Sequence, residues 1–153
     1  MVNMPSVGYG TFQLRQVKNV HLRIETAIKT GYRLFDLADC YRNSNDICKM
    51  LTQILPKYNL SRKDIFLTSK IAPKDQGAVN ASKACEKILN DCEVLGEKYL
   101  DLVLIHWPGT AKVKHENELN RVNRLETWKT MTEYFNTGWF CNNVTKMAEN
   151  DLK

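Results

Sequence analysis

IFLTSKI (65–71) is the stretch whose reading decides the fold. It is short and nearly continuous in apolar residues, with Lys70 close to its end. A run of this kind reads as a strand buried on both faces, as in a parallel sheet covered by helices. The same form recurs on either side. RLFDLA (33–38) is a second strand that carries Asp36, and LDLVLIHW (100–107) is a fourth that ends on His106 and Trp107. VGYGTF (7–12) reads as the first.

Helical periodicity fills the intervals. Val17, Val20, Ile24, Ala27 and Ile28 share one face over 17–30, and Gly31 follows as a stop. Ile47, Met50, Leu51 and Ile54 do the same over 45–55, before Pro56. Ala81, Ala84, Cys85, Ile88 and Cys92 mark a third helix over 79–95, ending near Gly96. A polar stretch from Thr110 to about Arg124 precedes a fourth helix, with Leu125, Trp128, Met131 and Phe135 on one face and Gly138 as its stop. Strict alternation of strand and helix predicts an α/β fold with a parallel sheet. With 153 residues there is room for about four βα units, so the expectation is a truncated TIM (β/α)8 barrel. Residues 1–138 form this section. Residues 139–153, WFCNNVTKMAENDLK, show no strand pattern and are expected to be a divergent, disordered tail.

Composition excludes several classes. At 43% hydrophobic and 25% charged residues the chain has the balance of a globular protein. No apolar run approaches the length of a membrane span, and MVNMPSVGYG lacks a basic segment followed by an apolar one, so a cytoplasmic location is expected. The net charge of +5 is spread among acidic residues, with no basic stripe for nucleic acid. The five cysteines, 40, 48, 85, 92 and 141, have no zinc-like spacing, and no metal site is expected.

The chemistry lies at the strand ends. In a parallel barrel the C-terminal ends of the strands converge on one face, and that face carries function. Asp36, Tyr41, Lys70 and His106 all fall there. A tyrosine gives up its proton more readily beside an ammonium that stabilises the phenolate, and Lys70 is the candidate ammonium, held by Asp36. His106 is placed to orient a carbonyl. Each residue taken alone also has a plain structural reading, as packing, a loop cap or a satisfied core histidine. Their shared position is what joins them. Trp107 and Phe12 are candidates to line an aromatic pocket or to serve the core, and Gly10-Thr11 lets backbone approach a cofactor. Neither a Rossmann fingerprint nor a P-loop is present.

MPSVGYGTF (4–12), GYRLFDLADCYRN (31–43), SRKDIFLTSKI (61–71), YLDLVLIHWPG (99–109) and ETWKTM (126–131) resemble, in order, the motifs of the aldo-keto reductase superfamily. The resemblance covers about residues 4–138. It implies an NADP-dependent oxidoreductase that reduces aldehydes or ketones to alcohols with NADPH. It implies catalytic roles for Asp36, Tyr41, Lys70 and His106, with Tyr41 as general acid. It places cofactor contacts on Gly10, Thr11, Phe12 and Asp36, and substrate contacts on His106 and Trp107. The implied partner is a small-molecule carbonyl compound. The sequence departs from the family after Gly138, where a Ser-Asn pair that binds nicotinamide is expected and WFCNNVTK stands instead. With the later cofactor contacts missing, little or no turnover is expected of these residues alone. The alternative reading is a non-catalytic, truncated isoform or regulatory fragment that associates with itself or another chain through an open half-barrel edge.

Overall fold

The structure is a computed structural model and describes residues 3–16 and 18–142. Its centre is a five-stranded sheet in the order β1-β2-β3-β4-β5, with every neighbouring pair parallel. The strands are β1 (Gly8–Gly10), β2 (Leu34–Asp36), β3 (Phe66–Ile71), β4 (Leu100–Ile105) and β5 (Phe140–Asn142). Helices α1 (Val20–Lys29), α2 (Ser44–Ile54), α3 (Ala78–Glu93) and α4 (Leu119–Asn136) lie one in each interval between strands. This is the α/β alternation expected of a barrel section.

The register sorts the side chains by face. Asp36, Thr68 and Leu102 stand side by side, as do Lys70 and Leu104. Phe35 pairs with Leu67, and Ile71 with Ile105, on the opposite face. Those residues join Ile24, Ile28, Ile47, Leu51, Ile88, Leu89 and Met131 in one core between sheet and helices. Each fully buried aliphatic side chain there contributes about 1.5–3 kcal/mol through loss of apolar surface to water. The apolar residues that the periodicity assigned to α1, α2 and α3 are therefore the ones that cover the sheet.

Two glycines end helices in the same way. Gly31 (φ +97°) and Gly138 (φ +82°) take the left-handed conformation that side chains resist. In each case the glycine amide and the next amide turn back onto the last helical turn: Gly31 to Ile28 and Tyr32 to Ala27, Gly138 to Phe135 and Trp139 to Tyr134. This is the double hydrogen bond of a Schellman cap. It sends the chain from each helix into the strand that follows.

Two sequence expectations need correction. Helix α4 begins at Leu119, inside the stretch assigned to a polar loop. Leu119 and Val122 on its first turns are exposed, so no apolar face marked that half of the helix. The tail assigned no strand begins with one: Phe140 pairs with Leu100, and Asn142 with Leu102. Three residues are too few to show an alternating pattern, and the strand forms because β4 offers a free edge and Phe140 is buried (3% exposed). Val17, assigned above to the first helix, and residues 143–153 lie outside the described residues. No helix among those described is long and apolar enough to cross a membrane.

At the N-terminal end of β3 and β4, Arg62 and Asp101 form an ion pair at 2.7 Å, each side chain only 2% exposed. Asp101 also accepts from the Leu67 amide, while Arg62 donates to the Ile65 and Tyr99 carbonyls and lies over the Tyr99 ring. A buried charge left without its partner costs several kcal/mol. We expect Arg62→Ala to lower stability by about 3–5 kcal/mol, read from the urea unfolding midpoint at unchanged m-value.

Candidate active site

The C-terminal ends of β2, β3 and β4 bring four of the named side chains together. Asp36 is the last residue of β2, and Lys70 sits on the same face of β3. The Lys70 ammonium lies 2.7 Å from both Asp36 carboxylate oxygens, 2.8 Å from the Leu37 carbonyl oxygen and 3.3 Å from the Tyr41 hydroxyl. An ammonium has three protons, and here four acceptors surround it. The Lys70 side chain is only 12% exposed, so these contacts replace most of its water. Tyr41 is held at this distance by a 3-10 turn over Asp39–Tyr41, immediately after the extended backbone of Ala38.

His106 follows β4, and its amide extends the ladder by donating to the Ile71 carbonyl. Its ring stands edge-on to Tyr41 at 5.9 Å between centroids and stacks with Trp107 at 6.3 Å. Phe12 flanks Tyr41 on the other side at 5.1 Å. Phe12 and Trp107 are both more than 60% exposed, so neither belongs to the core. They form the two ends of an aromatic ledge with Tyr41 and His106 between them. Burial, then the positive charge of Lys70, lowers the His106 pKa from its ordinary value, against a smaller opposing effect of Asp36. The imidazole is therefore neutral at pH 7. Cys40 Sγ is 3.4 Å from His106 Nδ1. Burial and the neighbouring Asp39 raise the thiol pKa, so Cys40 stays protonated. Either atom can donate in this contact, depending on the imidazole tautomer; the tautomer in which Sγ donates to Nδ1 carries its proton on Nε2.

The first strand supplies open space. A Cβ built on Gly10 would meet no atom within 4 Å, and Gly10 pairs in register with Asp36. A flat ligand can thus approach the backbone beside the ion pair. Thr11 is fully buried, and its amide and hydroxyl both donate to the Asp36 carbonyl. It fixes the loop, leaving Gly10 and Phe12 to face outward.

Some contributors escaped the sequence reading. Thr68 donates to Asp36 Oδ1 at 2.6 Å, and its place two residues before Lys70 on one strand is the signal that puts both on one face. Gln76, 3% exposed, donates to the Trp107 and Gly109 carbonyls and so holds the loop that carries Trp107. Asn43 donates to the Thr11 carbonyl. Nothing in the spacing of Gln76 or Asn43 marks them, because their partners are backbone atoms of distant loops.

Comparison with known proteins agrees with this arrangement. The model of the Aldo/keto reductase family matches residues 6–140. Aldose reductase B of Dictyostelium discoideum is 39% identical, over 89% of this chain and 47% of its own length. The NAD(P)H-dependent D-xylose reductase of Scheffersomyces stipitis is 34% identical, over 89% of this chain and 46% of its own. Among solved structures, the aldose reductase from Schistosoma japonicum superposes with a TM-score of 0.73 at 31% identity, covering 91% of this chain and 48% of that one. An aldo-keto reductase complexed with NADPH gives 0.72 at 25% identity, covering 90% and 42%. The chain thus spans a little under half the length of these relatives. A parallel barrel section with this set of motifs, matched along most of its length, belongs to the aldo/keto reductase family.

Proposed function

We propose that these residues form the proton-delivering part of a carbonyl reductase site, which converts an aldehyde or ketone to an alcohol with NADPH. The observation that carries this reading is the Lys70 ammonium, clamped by Asp36 and 3.3 Å from the Tyr41 hydroxyl. NADPH, when bound, supplies the hydride to the carbonyl carbon. The open backbone at Gly10 beside Asp36 fits such a cofactor, with Phe12 and Asp36 at its border. Thr11 acts through the loop it fixes.

The chain's own residues do the rest. Tyr41 donates its proton to the carbonyl oxygen as negative charge develops there. Lys70 stabilises the phenolate that remains, and Asp36 holds Lys70 in place. His106, neutral with its proton on Nε2, donates a hydrogen bond that orients the carbonyl. Trp107 and Phe12 offer apolar surface to the rest of the substrate. Small misplacements of such groups cost orders of magnitude in rate, so turnover requires the remaining cofactor contacts of a whole barrel. We expect the 153 residues alone to turn over little or not at all. A second reading, a non-catalytic section that associates with another chain, draws support from β1 and β5, which among the described residues are each paired on one side only.

The test completes the barrel. Residues 1–138 joined to the C-terminal half of Aldose reductase B should oxidise NADPH in the presence of an aromatic aldehyde. Tyr41→Phe in that chimera should lower kcat by about 10²–10⁴-fold with NADPH affinity unchanged. Equal rates with and without the hydroxyl would rule out Tyr41 as the acid. A folded chimera that binds NADPH without turnover would favour the non-catalytic reading.

His106 offers a check that needs no turnover. Its NMR titration midpoint should lie below the ordinary 6.5, and Lys70→Met should raise it by removing the nearby positive charge while Asp36 remains. Because the unfolded state takes up this proton more readily, His106 favours the folded state fully above pH 6.5. That contribution falls as acidification passes from 6.5 to the lower folded value.

A further inference from the structure

Two thiols of the core have no part in the site proposed above. Cys48 lies in α2, one turn beyond Ser44, and Cys92 lies near the end of α3. Both are sealed, at 0% and 1% exposure. Cys48 Sγ donates to Cys92 Sγ at 3.7 Å, the one thiol–thiol hydrogen bond among the described residues. The separation is that of sulfurs in contact. A disulfide at about 2.05 Å lies some 1.7 Å closer.

We propose that Cys48 and Cys92 are a redox dithiol that closes to a disulfide, tying α2 to α3, when the protein meets hydrogen peroxide. The step balances without any other reactant. Peroxide oxidises one thiol to a sulfenic acid as its O–O bond breaks, releasing one water. The second sulfur attacks the sulfenic sulfur, the S–S bond forms, and a second water leaves. Two thiols lose two electrons and two protons, and one peroxide becomes two waters. The closed form joins covalently the helices that follow β2 and β3, the strands that bear Asp36 and Lys70.

The surroundings set the rate. The hydrogen bond to Cys92, and then burial, hold the Cys48 thiol well above its ordinary pKa, so thiolate is scarce near neutrality. Closure is accordingly slow at pH 7 and accelerates as pH rises. Peroxide is little larger than water and reaches the pair through local opening of the core. Burial also pushes Cys85 up to about 12, and it bonds no other thiol among the described residues.

The experiment treats the folded 153-residue chain with hydrogen peroxide, blocks remaining thiols in denaturant and maps the peptides by mass. Exposed Cys40 reports the dose received. The expected result is an intramolecular link between the Cys48 and Cys92 peptides, two hydrogens lighter, reversed by dithiothreitol and faster at higher pH. The linked protein should unfold several degrees higher, because the cross-link restricts the unfolded chain. In Cys92→Ala the link should vanish while Cys40 still oxidises. The proposal is overturned if Cys48 and Cys92 both remain free thiols once Cys40 is fully oxidised, or if either sulfur pairs with a different cysteine. The wild-type map decides this even where the alanine variant folds poorly.

Discussion

A lysine side chain that has lost most of its water must find compensation within the protein, and Lys70 finds it in Asp36. The two stand on adjacent strands with their side chains on one face, where register and pleat leave no choice of partner. The ammonium also bonds the Leu37 carbonyl, at the point where the chain leaves β2 for the turn that bears Tyr41. One interaction therefore fixes the spacing of two strands, the exit of a loop and the electrostatics at a phenol. Breaking it would leave one carboxylate and one ammonium partly desolvated, which is why such pairs are costly to disrupt.

β3 carries a contrast along its length. Near its start, Arg62 and Asp101 are sealed and bonded to each other, to backbone groups and to an aromatic face, with Arg62 Nε alone left without a partner among the described residues. At its other end, Lys70 and Asp36 have a similar ion-pair distance, yet the carboxylate is a third exposed and a tyrosine hydroxyl stands within reach. The first pair holds strands together. The second does the same and also faces space that a reactant can enter. Exposure and the identity of the third neighbour, more than the strength of the pair, separate a structural ion pair from a chemical one.

Much of this was legible in the sequence. IFLTSKI and LDLVLIHW are short apolar runs that both form strands; the first is buried along nearly its whole length, while in the second Leu100 and Val103 are buried and Leu102, Leu104 and Ile105 only partly so. Asp36, Lys70 and His106 were visible because each interrupts such a run at the same end. Tyr41 needed the loop as well as the spacing. Less was legible where partners are distant backbone atoms, as for Gln76 and Asn43, because no residue type or period announces them. β5 and the first turns of α4 were missed for a related reason. β5 depends on a free strand edge and is only three residues long, and the exposed Leu119 and Val122 at the start of α4 carry no periodic signal. The Cys48–Cys92 contact likewise depends on how two helices approach, which neither helix encodes alone.

The most direct measurement of the central claim is the rate at which each lysine of the folded chain reacts with an amine-acylating reagent, read peptide by peptide by mass spectrometry. Lys63 and Lys74 are widely exposed, whereas Lys70 is 12% exposed and bonded to Asp36, Leu37 and Tyr41. The account predicts that Lys70 is modified far more slowly than either, and at their rate once the chain is unfolded. Acylation of Lys70 in the folded protein as fast as Lys63 and Lys74 would contradict it, since an ammonium free to react is not clamped beside Tyr41.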